Sequence, residues 1–164
     1  MTEEREPTQP ERRETAAERS DRNWSELLQE VRVTQTGIQI LSGFLLTVPF
    51  QARFTSLSPA MLGVFLGAVG FAALATLLVV APVSLHRILF RRHVKEALVT
   101  TSDVLAKVGL VALAVTITLV TTLVFGFVLG ETAALVAFVV AGIAFTGVWL
   151  VMPLVLRSRL AGPR

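Results

Sequence analysis

The chain has 164 residues, 53% of them hydrophobic and only 16% charged, with a formal net charge of +3 and a mean hydropathy of +0.68. Soluble domains carry about a quarter charged residues, so water is excluded as the solvent for most of this chain. The absence of cysteine rules out a disulfide framework, a thiolate metal site and a thiol nucleophile. No basic stripe with interleaved aromatics offers nucleic acid a stacking platform.

Residues 1 to 22 hold seven acidic and five basic side chains and two prolines, with no large apolar residue beyond Met1. Such a segment buries too little surface to offset its chain entropy, and we expect a disordered tail. It has neither the short apolar run nor the small-residue cleavage site of a signal peptide. At "NWSELLQEVRV" the character changes: Asn23 followed by Glu26 is a capping-box spacing, and Trp24, Leu27, Leu28 and Val31 recur at helical intervals. A helix is expected to start there and run into the first of four uncharged stretches, with Trp24 placed to act as an interfacial anchor.

Those stretches predict an all-α, polytopic membrane protein, with spans near residues 33–52, 60–82, 108–129 and 132–156. Each is long enough for the ~20 residues that a spanning helix needs. Ser58 and Pro59 suit the cap and first turn of span two. "GET" between spans three and four demands a tight hairpin, so the four spans form two antiparallel hairpins. The one sizeable connection is 84–107, and residues 157–164 form a short basic tail. Of the 15 Lys and Arg residues, six precede span one, five lie in the connection, three follow span four and only Arg53 lies on the other side. The positive-inside rule then puts both termini and the connection in the cytoplasm.

"NWSELLQEVRVTQTGIQIL", "TVPFQARF" and "APVSLHRILFRRHVKEALV", in this four-span layout, resemble a family of small actinobacterial membrane proteins catalogued only as a domain of unknown function. The resemblance covers roughly residues 22–130. It implies the four-span fold and a bacterial inner membrane. Some members of that family carry a sodium:proton antiporter label.

Cation/proton exchange needs a group that holds a proton and a metal ion in turn, normally a buried carboxylate near mid-span. Spans two to four have no titratable side chain inside them, and span one has only amides and hydroxyls. Gln35, Gln39 and Ser42 share a face of span one, with Arg32 at its end. Two readings stay open there: amides that hydrogen-bond to a neighbouring helix, or a polar vestibule for a solute. In the connection, Arg87, Arg91, Arg92 and Lys95 lie opposite a face of His86, Leu89, Phe90, His93, Val94 and Ala97. This pattern suits a segment lying on the leaflet, its bases on anionic headgroups. His86 and His93 are two turns apart, too far to share a metal ion without help. Gly63 with Gly67, and Gly126 with Gly130, have the spacing that lets helix backbones approach closely. Thr116, Thr118, Thr121 and Thr122 can bond to their own helix carbonyls.

No nucleotide-binding or catalytic signature is present, and no cofactor or metal is expected. The sequence is read as a non-enzymatic packing, assembly or regulatory membrane component. Its partners would be the anionic bilayer and either further copies of itself or another membrane protein. The alternative is a small secondary transporter or channel component, working as an oligomer through the polar face of span one.

Overall fold

The computed structural model describes residues 15–89 and 95–160. They form an all-helical chain, with α1 (Ala16–Thr47), α2 (Pro59–Leu89), α3 (Lys95–Leu129), α4 (Glu131–Thr146) and α5 (Met152–Leu160), and a π-helical turn, Gly147–Val151, joining the last two. Four helices are long and apolar enough to cross a membrane: Leu28–Phe50, Pro59–Leu85, Thr100–Leu129 and Glu131–Leu160.

Helix α1 starts seven residues before the expected Asn23, because the capping box is made by Thr15 and Glu18. The Glu18 N–H donates to Thr15 Oγ1 at 3.2 Å, and the Thr15 N–H donates to Glu18 Oε2 at 2.8 Å. Alanine, glutamate and arginine are strong helix formers, and an Arg22–Glu26 pair at 3.7 Å links successive turns, so charge density alone does not unfold residues 16–22. The rest of the expected tail, residues 1–14, lies outside the described residues.

Pro49 ends α1 in a short 3-10 turn, a second turn covers Phe54–Ser56, and Ser58 Oγ accepts from the Met61 N–H at 3.4 Å as α2 begins at Pro59. The 84–107 connection is mostly an extension of two spans. Helix α2 passes through buried Pro82 to Leu89, and α3 starts at Lys95. No glycine or proline occurs between 83 and 108 to break either helix, and a proline is tolerated in a spanning helix whose neighbours re-satisfy the freed carbonyl.

The most extensive contact is between α2 and α3. Helix α1 lies against both, and among the described residues α4 packs on α3. The buried positions of α2 are Met61, Phe65, Ala68, Ala72, Ala75, Val79 and Pro82, spaced alternately by four and three. This heptad rhythm keeps one narrow seam facing its neighbours. Toward the two short turns the core gathers Leu45, Val48, Phe65, Ala68, Ala72 and Leu123, with Phe54 edge-on to Phe65 at 5.3 Å. Toward the other end it gathers Val31, Ile38, Ala75, Val79 and Ala112. Thr116, Thr118, Thr121 and Thr122 of α3 bond back to carbonyls four residues earlier at 2.8–2.9 Å, which lets Thr116, Thr118 and Thr122 be buried.

Candidate functional site

Helix α1 turns Val31, Ile38 and Leu45 inward, seven residues apart. Its polar stripe falls to one side of that seam: Gln35 and Ser42 are half-buried, whereas Gln39 and Arg32 are exposed. Gln39 is the midpoint of the Leu28–Phe50 span. Thr36 bonds to the Arg32 carbonyl at 3.0 Å, but among the described residues neither glutamine amide has a hydrogen-bond partner. Among the described residues, no neighbouring helix therefore uses these amides.

The glycines play different parts. A Cβ on Gly67 would lie 3.3 Å from Leu119 Cδ1. One on Gly126 would lie 2.6 Å from Met61 Sδ and 3.3 Å from Ala134 Cβ, and one on Gly63 would meet nothing within 4 Å. Gly130, at φ +91°, is the N-cap of α4, a conformation in the left-handed region that glycine adopts freely. The tightest rigid approach is at Gly109, which pattern reading missed because no second glycine stands four residues away. A Cβ there would lie 2.8 Å from Val79 Cγ2 and 3.3 Å from Leu78 Cβ.

Of the four basic residues assigned to headgroups, Arg87 lies in the last turn of α2 and Lys95 begins α3. Arg91 and Arg92 lie outside the described residues, as does His93. The backbone at 86–89 and 95–97 thus continues the spanning helices and does not form a separate surface helix.

Arg53 has a structural task. Its Nη1 donates to the Phe127 carbonyl at 3.2 Å, covering one of the unpaired acceptors at the C-terminus of α3, where a cation also suits the helix dipole. This contact ties the α1–α2 connection to the end of α3 beside a recess of about 260 Å³ that Ser58, Met61 and Glu131 also line.

A larger feature lies between α3 and α4. Near the α3–α4 turn Ala134 and Ala137 of α4 are buried, but among the described residues none after Ala137 is. The helices part there around an apolar cleft of about 770 Å³, lined among others by Lys107, Ala114, Thr118, Phe138, Gly142 and Trp149. The π-helical turn forms part of its wall. In it the Met152 N–H reaches the Gly147 carbonyl five residues back, and Pro153 follows at once. Proline cannot donate to the carbonyl four residues earlier and crowds it, and a widened turn relieves that clash. Phe145 meets Trp149 edge-on at 5.3 Å. Among the described residues, no three His, Asp or Glu side chains gather as a metal site would require.

Comparison with curated proteins and with solved structures finds no match for this chain. A family model does match, over residues 13–153, and the four spans described above lie almost wholly within it. The chain belongs to the family of unknown function DUF6328.

Proposed function

We propose that this is a non-enzymatic protein of the bacterial plasma membrane, an assembly or regulatory component that joins a partner helix through the amide face of α1. The observation that carries the reading is Gln39, exposed at mid-span with no partner for its amide among the described residues. An amide left without a partner in an apolar medium costs roughly 2–7 kcal/mol, so a second helix bearing an amide or hydroxyl is its natural complement. A further copy of this chain is the simplest such partner, since each amide both donates and accepts and a two-fold arrangement pairs like with like. The 14-to-1 division of basic residues supports cytoplasmic termini, with Arg87, Arg91, Arg92 and Lys95 close to anionic headgroups.

The test is self-association of the full chain in liposomes, followed by energy transfer between two dye-labelled populations. Replacing Gln35 and Gln39 by leucine should weaken association about tenfold, the equivalent of ~1.4 kcal/mol, within the range measured for interhelical amide contacts. Undiminished energy transfer in the double variant would remove the amide face as the interface. The transporter alternative has less support, because no span carries a titratable group at its centre to hold a proton.

A further inference from the structure

We infer that the cleft between α3 and α4 is a binding site for one anionic phospholipid, its acyl chain against the π-helical turn and its headgroup at Lys107. The inference is independent of the amide face, which lies on a different helix. Three observations carry it.

The first is shape. The cleft's volume of about 770 Å³ lies within the usual range for ligand pockets, roughly 300–1,000 Å³. From Phe138 to Pro153 it follows the helix for ~22 Å at about 1.5 Å per residue. That is one leaflet's hydrocarbon, ~15 Å, with its interface.

The second is lining. Ala114 and Gly142 are too short to bridge the parted helices, while Phe138, Phe145 and Trp149 supply broad apolar surface. Thr118 already donates to the Ala114 carbonyl at 2.9 Å, so its hydroxyl makes no polar demand on an occupant.

The third is charge at one end only. Lys107 lines the cleft where it approaches Pro153. Arg157, exposed and four residues beyond Pro153 in α5, follows on the same helical stripe. A site with apolar walls and a cationic mouth recognises an anionic amphiphile. Lys107 is held by Asp103 at 2.6 Å, but both side chains are exposed, and such a pair is worth little against a phosphate. Asp103 therefore tempers the site, and removing it should sharpen the preference for anionic lipid.

The experiment uses the full chain with Trp24→Phe, which leaves Trp149 as the sole tryptophan, reconstituted with lipids brominated on the acyl chain. Trp149 fluorescence should be quenched by brominated phosphatidylglycerol at about one-fifth the mole fraction that brominated phosphatidylcholine needs, the preference that one lysine near the surface provides. Lys107→Gln should weaken this preference, leaving only what Arg157 provides, and Asp103→Asn should increase it. Opposite responses from neighbouring substitutions cannot both come from misfolding. Gly142→Leu, whose Cβ enters open space, should reduce quenching by both lipids. Equal quenching by the two headgroups in the parent, or full quenching in Gly142→Leu, would overturn the assignment.

Discussion

Gly109→Ala is the substitution whose cost the structure sets most directly. The added methyl would lie 2.8 Å from Val79 Cγ2 and 3.4 Å from the Val79 backbone nitrogen. Val79 is 2% exposed, and a β-branched side chain in a helix has one strongly preferred rotamer, so it cannot swing aside. Overpacking a well-filled core costs about 1–3 kcal/mol, and the contact is close enough to fall in the upper half of that range. Alanine recovers up to ~1 kcal/mol through helix propensity, which leaves a net destabilisation of about 1–2 kcal/mol. Two controls calibrate the result. Gly63→Ala meets nothing within 4 Å and should be neutral or mildly stabilising. Gly126→Ala meets the flexible Met61 and should fall between the two. Reversible unfolding of the full chain, titrated with SDS against a mild detergent, should show Gly109→Ala raising the unfolded-to-folded ratio about tenfold at a fixed mixture. If Gly109→Ala matches Gly63→Ala, the close α2–α3 approach does not exist as described.

Reporter fusions after residue 24, between residues 90 and 94, and after Arg157 should read cytoplasmic, while insertions at Ser56 and Glu131 should read external; an external signal between the central helices would refute the orientation. Purified protein in liposomes should show no sodium-driven pH change above an empty-liposome control, since Gln39 cannot titrate. The Glu18 carboxyl is held below the usual carboxylate range by the Thr15 N–H and hydroxyl. Its contribution to the first turn of α1 is therefore present above the ordinary carboxylate pKa and lost as pH falls through the lowered folded value. Amide-exchange protection at Glu18 and Arg19 should decline across that acid range, and Thr15→Ala should move the decline to higher pH.

Much of the architecture was legible because it rests on charge. Uncharged stretches between Arg53 and His86, between Lys107 and Glu131, and between Glu131 and Arg157 mark three spans without reference to packing. Which face of each helix turns inward was not legible, because lipid and protein interior are equally apolar. Ala68, Ala72 and Ala75 form the seam of α2, yet Ala73 and Leu74 beside them are exposed and no less apolar. In such a helix small residues at heptad spacing carry the signal that polarity carries in a soluble bundle. The start of α1 was misplaced for a different reason. Charge-rich composition argued for disorder, but Thr15 and Glu18 form the same capping box three residues apart that Asn23 and Glu26 only resemble. The cleft was invisible because it depends on α4 parting from α3, and the sequence trace of that is limited to Gly142, Gly147 and Pro153.

The way the helices share their contacts bears on how such a protein works. Helices α2 and α3 form a close, small-residue pair at the centre, α1 lies against both and α4 against α3, and among the described residues the α1 and α4 backbones do not approach each other closely. Both outward-facing features fall on these edge helices: the Gln39 amide on α1, and the cleft beside the π-helical turn that ends α4. Near the α3–α4 turn α4 is held, because Gly126 of α3 admits Ala134, and Ala134 and Ala137 are buried. Toward its C-terminus it is at most half-buried, at Ala141, Gly142 and Phe145. A helix fixed at one end and free at the other, with a widened turn near the free end, shifts more easily than the central pair it leans on. What occupies the cleft should thus set how far α4 parts from α3, leaving the α1 face undisturbed. Distance measurements between spin labels at Val108 and Val151, both exposed and outside the cleft lining, would report that parting. The distance should differ between phosphatidylglycerol and phosphatidylcholine bilayers, while a second pair at the exposed Val128 and Leu135 should not change. Equal shifts in both pairs would mean that α4 moves as a rigid whole and is not pinned near the turns.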